Sequence, residues 1–292
     1  MKLTKIAVLA IIAGGLASAI ALALREDEAP PPLSATASSP DVVRGKTTAD
    51  GTTAPPPFTR RELGRSFVFA RGPELRPPGD PRAWIDSLRP AAEAGDANAS
   101  YSIYLTLVDC EMYLKASASE ELAESRAIGA SPEYEKKVLR KLIECGSLPP
   151  SQTEEIGQWL SKAASQGSIE ALVAYAARPN AILGPKPDVN SDEFKDWQSN
   201  AVSYLNEAML KGSIDALAQL SNAYMAGYAL PRDPEKAYAT QLALGEINQN
   251  YSSEAYRNSI AKELTPQQLI QAREDSKKFL QIVTHAKGME PQ

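Results

Sequence analysis

Histidine is nearly missing from this chain of 292 residues: His285 is the only one, and Cys110 and Cys145 are the only cysteines. Two thiols and one imidazole cannot build a four-ligand zinc site without carboxylates, and no carboxylate spacing here supplies them. Also missing are Gly-x-Ser-x-Gly, His-Glu-x-x-His, the P-loop and the dinucleotide-binding glycine pattern, so no nucleophile, zinc helix or phosphate cradle can be named. His285 stands seven residues from the end, a poor position for a general base. There is no basic excess either. Lys and Arg number 31 against 36 Asp and Glu, a formal charge of −5, which gives no reason to expect nucleic acid as a partner. The expectation is a protein that is not an enzyme and carries no cofactor and no metal.

What the sequence does have begins with a long apolar run. Lys2 and Lys5 precede Ile6 to Leu24, and Arg25, Glu26, Asp27 and Glu28 close it. A cleaved signal has an apolar core of about 7–15 residues and a spanning helix about 20, so this run reads as an anchor. The small-residue triplets Ala17-Ser18-Ala19 and Ala21-Leu22-Ala23 keep cleavage open as the alternative. The basic flank favours leaving the N-terminus in the cytoplasm. That predicts a single membrane pass with the C-terminal domain outside the cytoplasm, or export after cleavage. Residues 1–25 form this segment. Residues 26–57 are rich in Pro, Ala, Ser and Thr and bracketed by Pro30-Pro31-Pro32 and Pro55-Pro56-Pro57, the composition of a disordered linker.

Residues 58–83 carry Arg60, Arg61, Arg65, Arg71, Arg76 and Arg82 against Glu62, Glu74 and Asp80. They read as a basic irregular segment, a solvated collar beside the domain, with contact to anionic lipid or a polyanion as the alternative. Cys110 and Cys145 fit an oxidising compartment, where the only possible bridge joins them; two buried free thiols are the alternative.

Residues 84–250 hold an internal repeat. Ser87-Leu88-x-x-Ala91-Ala92-x-x-Gly95-x-x-x-Ala99 has the offsets of Trp159-Leu160-x-x-Ala163-Ala164-x-x-Gly167-x-x-x-Ala171 and of Tyr204-Leu205-x-x-Ala208-x-x-x-Gly212-x-x-x-Ala216. Positions four apart share a helix face, and alanine there lets two helix axes approach. The glycine suits the left-handed residue that ends a helix. Asp96, Ser168 or Ser213 then caps the next one. Each unit therefore reads as helix, tight turn, helix. Asp233-Pro234 opens a further helix by the same logic. Thr265-Pro266-Gln267-Gln268 is a capping box that starts a terminal helix, so residues 251–292 read as capping helices and tail. Adjacent acids at Glu120-Glu121, Glu154-Glu155 and Asp192-Glu193 read as first-turn residues. Trp84, Trp159, Trp197, Tyr175, Tyr204 and Tyr224 read as core columns.

Ala208, Gly212, Ala216, Tyr224, Gly227, Asp233, Lys236 and Ala237 follow one another in an order that resembles the Sel1-like repeat family, relatives of tetratricopeptide repeats. The match is weak between residues 110 and 145, where both cysteines lie. An insertion at residues 178–190 replaces the usual connection with an irregular loop. The resemblance implies an all-α solenoid of helix-turn-helix repeats that works as a protein-binding adaptor in the bacterial envelope, so the expected place is a single pass through the inner membrane with the C-terminal domain in the periplasm, or the periplasm itself after cleavage. A peptidoglycan- or carbohydrate-associated module is the alternative that it implies. In helix-pair solenoids the first helix of each unit lines the concave face. The offsets not committed to packing there include Lys162, Gln166, Asn206, Leu210 and Lys211, which become candidate partner-binding residues. Leu210 is apolar where its equivalent is Ser165, which makes it a candidate contact anchor, with helix-edge packing as the alternative.

Overall fold

The computed structural model describes residues 58–285 apart from Pro73, Ala116 and Ser117, all within the unit that runs from Ala54 onward. The expected anchor at 6–24 and the linker at 26–57 lie outside the described residues. Among the described residues no helix is long and apolar enough to cross a membrane.

Two strands, β1 (Phe58–Leu63) and β2 (Ser66–Arg71), come first and pair antiparallel. Helices follow: α1 (Pro81–Glu93), α2 (Ala97–Lys115), α3 (Ala118–Ala127), α4 (Pro132–Cys145), α5 (Pro150–Thr153), α6 (Ile156–Ser165), α7 (Ile169–Ala177) and α8 (Pro179–Leu183). After them come α9 (Asp192–Leu210), α10 (Ile214–Ala226), α11 (Pro234–Ile247), α12 (Glu254–Ala261) and α13 (Pro266–Thr284). Helix pairs α1–α2, α6–α7, α9–α10 and α11–α13 stack in sequence, with α2 on α6, α7 on α9 and α10 on α11.

The repeat's turn is built three times from the same parts. Gly95, Gly167 and Gly212 have φ of 104°, 94° and 93°, a conformation that other residues adopt at a cost. The following N–H closes each turn: Asp96 donates to Ala91 O, Ser168 to Ala163 O and Ser213 to Ala208 O, each at 3.0 Å. Then the capping side chains accept. Asp96 takes the N–H of Ala99, Ser168 that of Ala171, and Ser213 that of Ala216. Beneath the turns Ala92, Ala163, Ala164, Ala208, Leu160 and Leu205 are buried, so small residues permit the close helix approach that the spacing required. Asp233 accepts from Lys236 N–H, and Thr265 and Gln268 form the capping box.

The irregular region between the first two pairs is fastened covalently. Cys110 on α2 and Cys145 on α4 form a disulfide across a sequence separation of 35. A loop of that length is worth about 3–4 kcal/mol through restriction of the unfolded chain. The same place holds a cluster of charges. Arg76, 3% exposed, puts Nη2 2.8 Å from Glu144 Oε2 and Nε 3.1 Å from Asp109 Oδ2, though off the hydrogen-bonding line at Nε. Buried Lys141 reaches Asp109 at 2.6 Å and Glu74 at 2.7 Å, and Arg140 reaches Glu74 at 2.7 Å. Gly79 donates its N–H to Glu144 at 2.9 Å. The disulfide and this network together tie the segment ahead of α1 to α2 and α4.

Three expectations need correction here. Residues 58–83 are not an irregular collar: they fold into the hairpin and a connector, and α1 begins at Pro81. The collar is not wholly solvated either, because Arg76 is buried among carboxylates that offset its desolvation. Among the described residues the fold is thus helical with one two-stranded sheet, not purely α. The hairpin reaches far along the chain. Phe67 N–H donates to Gly212 O at 3.0 Å, Phe69 N–H to Asp215 Oδ2 at 2.8 Å, and Ser66 Oγ to Val283 O at 3.0 Å. Arg61 donates to the Tyr251 hydroxyl at 2.7 Å, and Arg60 lies 3.6 Å from Glu170. One short hairpin therefore touches α7, α10, α13 and the turn around Tyr251.

Candidate interaction surface

The first helices of the units present the positions that the repeat leaves free. On α6, Lys162 lies over the Trp159 ring at 5.0 Å. Arg89, from α1, lies over the same ring at 5.4 Å and 3.9 Å from Glu155, whose carboxylate also accepts from Trp159 Nε1 at 3.0 Å. Trp159 is buried under this cover, and Trp197 and Tyr175 are buried in the core. Gln166 is not free. Its Nε2 donates to Ala92 O at 2.9 Å and its Oε1 accepts from Ser100 Oγ at 2.6 Å, so it bonds the second pair to the first. On α9, Asn206 donates to Val202 O, Lys211 pairs with Glu207 at 2.7 Å, and Leu210 is 59% exposed. Lys162 and Gln166 thus sit at the α1–α6 junction, while Asn206, Leu210 and Lys211 lie along the last turns of α9. Sequence reasoning missed Arg89, which occupies the offset of Ser161 and Asn206 in the first unit.

A second apolar surface lies outside the repeat columns. The inner side of α4 is fixed by Val138, Lys141 and Cys145, all buried. Its outer side shows Leu139 at 46% and Ile143 at 71% exposure, one turn apart. With Lys136, Arg140 and Glu144 they line a shallow groove of about 420 Å³. An apolar pair left outside on a helix whose other face is already full is a candidate contact surface. The sequence carried a signal for it: Val138-Leu139 and Leu142-Ile143 are doublets, one member more than an inward stripe requires.

The clustered titratable groups around Arg76 are ion pairs at the core edge. Burial alone would raise the carboxyls of Glu74 and Glu144. Lys141 at Glu74, and the Gly79 N–H with Arg76 at Glu144, outweigh that and hold both below the ordinary range. Asp109 lies beside Cys110 and Cys145, a grouping of metal-ligand types, but both sulfurs are spent in the disulfide. His285 ends α13 with Nδ1 3.1 Å from Gln281 O.

No family model matches the chain, and no curated protein matches it. Among solved structures it is similar to the crystal structure of c5321, a protective antigen present in uropathogenic Escherichia coli strains, which displays an SLR fold. The two are 19% identical with a TM-score of 0.37, over 71% of this chain and 44% of that one. This chain spans less than half of the neighbour's length. The architecture of the chain rests on its own three matching turns and stacked helix pairs.

Proposed function

We propose that this chain is a non-enzymatic scaffold of the bacterial envelope that holds a protein partner on the outward faces of its helices. The observation that carries the reading is the exposure of Leu139 and Ile143 on α4, whose opposite face is clamped by a disulfide and a buried ion-pair cluster. A rigid backing that presents an apolar pair rimmed by Lys136 and Arg140 is how helical surfaces hold partners at modest entropic cost. Leu210 on α9 offers a second anchor. The apolar run at 6–24 and the linker that follows support placement of the domain on the periplasmic side of the inner membrane. A carbohydrate module would use an open aromatic platform; Trp197 is buried and Arg89 and Lys162 cover Trp159, while Trp84 is half-buried and Tyr134 exposed on separate helices.

The test is a photo-reactive residue at Ile143, at Leu210, or at exposed Lys195 on α9, in the full chain in intact cells. Specific adducts at Ile143 or Leu210, absent at Lys195, are expected. Equal or absent adducts at all three positions would overturn the reading. A reporter fused to the C-terminus and active only in the cytoplasm should stay silent; activity would refute the envelope placement.

A further inference from the structure

Among the described residues only one of the hairpin's two edges is covered. The N–H groups of Phe67 and Phe69 point away from β1, toward Gly212 O and Asp215. In an antiparallel pair, residues whose groups point outward face partners whose groups also point outward. Phe67 is paired with Glu62, Phe69 with Arg60 and Arg71 with Phe58. The N–H and C=O groups of Phe58, Arg60 and Glu62 therefore line the outer edge of β1. Among the described residues nothing accepts from them or donates to them. Thr59, Arg60, Arg61 and Glu62 are all exposed. Such an edge is a template for another strand.

We infer that a second copy of this chain occupies this edge, β1 against β1 in antiparallel register about a two-fold axis at Arg61. That register pairs Arg60 of one copy with Glu62 of the other, twice, through outward-pointing backbone groups. Directly opposite side chains lie on the same face of a sheet, so each pair places a guanidinium beside a carboxylate. The neighbouring symmetric registers place Arg60 on Arg60 or Glu62 on Glu62. Arg60 is already held on that face, over the Phe67 ring at 4.7 Å and 3.6 Å from Glu170, so the carboxylate of the other copy joins a guanidinium that has one such neighbour. Arg61 meets its own copy at the axis, where two positive charges oppose pairing, and the Tyr251 hydroxyl engages that guanidinium. The covered edge makes the hairpin rigid, so a joining strand finds the edge already formed.

The test uses the full chain, co-expressed in the envelope with two different tags. Among the described residues no cysteine is free, so an introduced thiol reports alone. Residues facing across the axis lie about 4.5 Å apart at Cα, within reach of a disulfide, whereas Thr59 would lie about 14 Å from its own copy. Arg61→Cys should give a disulfide-linked species carrying both tags, and Thr59→Cys about tenfold less. In the Arg61→Cys background, Glu62→Pro removes an outward N–H without touching the pairing to β2, and should abolish the species. Arg60→Glu should lower its yield about tenfold, and adding Glu62→Arg should restore it. The inference fails if Arg61→Cys gives no two-tag species, if Thr59→Cys matches it, or if the charge swap does not rescue. Should Glu62→Pro disturb folding, seen as loss of the Cys110–Cys145 bridge, the charge-swap pair decides.

Discussion

Phe69 gives its backbone N–H to the carboxylate of Asp215, 146 residues further along the chain, at 2.8 Å. The bond joins the strand ahead of the repeats to the first turn of α10, where the helix dipole also favours a negative group. Burial nonetheless pushes the Asp215 carboxyl above its ordinary 3.8, and the Phe69 N–H offsets this only in part. Asp215→Asn keeps an acceptor for Phe69 and removes the buried charge. At pH 7 it should be neutral to slightly stabilising, within about 0.5 kcal/mol. Asp215→Ala leaves the N–H without that acceptor and should cost about 1–3 kcal/mol. The sign with pH follows from the raised folded value. The wild type gains stability relative to the Asn variant as pH falls through that value toward 3.8. Denaturant titrations of both proteins at neutral and acid pH measure the difference.

The cluster around Arg76 behaves oppositely. Removing one partner of a buried ion pair leaves the others uncompensated, so Arg76→Met should cost about 3–5 kcal/mol, read by denaturant unfolding with the disulfide intact. Glu74 and Glu144 sit below their ordinary 4.5 in the folded chain. Their contribution is full above 4.5 and is lost as pH falls through the depressed folded values. Acid unfolding of Arg76→Met should therefore be shallower than that of the wild type, since Glu144 loses a cation that holds its carboxyl down. An equal slope in both proteins would remove Arg76 from the account.

These two relationships show what a sequence can reveal. Each turn at Gly95, Gly167 and Gly212 is made of residues within nine positions of one another, so the spacing of Ala, Gly and Ser states the structure directly. The Cys110–Cys145 bridge was legible because no other pairing exists. The hairpin was not, because β2 reads Ser66-Phe67-Val68-Phe69 without clean alternation; Phe67 and Val68 point to opposite faces and both are buried. Its one local signal was Gly64, whose φ of 68° makes the two-residue turn. Arg76 looked like its exposed neighbours, since its burial depends on carboxylates up to 68 positions away. Gln166 appeared free for the same reason: its partners, Ala92 and Ser100, belong to another unit.

The insertion at residues 178–190 is more ordered than an irregular loop. Its short helix α8 packs on α6 so closely that a Cβ on Gly157 would lie 2.0 Å from Ala181 O, a backbone atom that cannot swing away. Gly157→Ala should therefore cost about 1–3 kcal/mol through overpacking, and should speed proteolysis within residues 178–190. Gly167→Ala is the contrast. Space around it is open, and only its φ of 94° resists a side chain, so it should cost about 1–2 kcal/mol without exposing the insertion. Limited proteolysis beside thermal melting separates the two effects.

The two candidate surfaces make different demands on a partner, so paired variants assign the contact. Leu139→Ser with Ile143→Lys removes the apolar pair on α4, while Val138, Lys141 and Cys145 still hold the helix from within. Stability should change by no more than about 0.5 kcal/mol per site, because neither side chain supports the core. Lys162, Asn206, Leu210 and Lys211 changed together test the repeat face. Gln166 is left native, since its two bonds to the first pair would confuse a binding loss with an unfolding one. Partner recovered with the full chain after formaldehyde crosslinking in intact cells should fall sharply for the α4 pair, and falls for the repeat-face set instead if α6 and α9 carry the contact. Full retention by both variants, at unchanged melting temperature, would remove both surfaces and leave the scaffold reading without a site. A loss in either variant accompanied by loss of helicity would assign nothing, so circular dichroism is recorded on the same samples and only variants that keep the wild-type signal are compared.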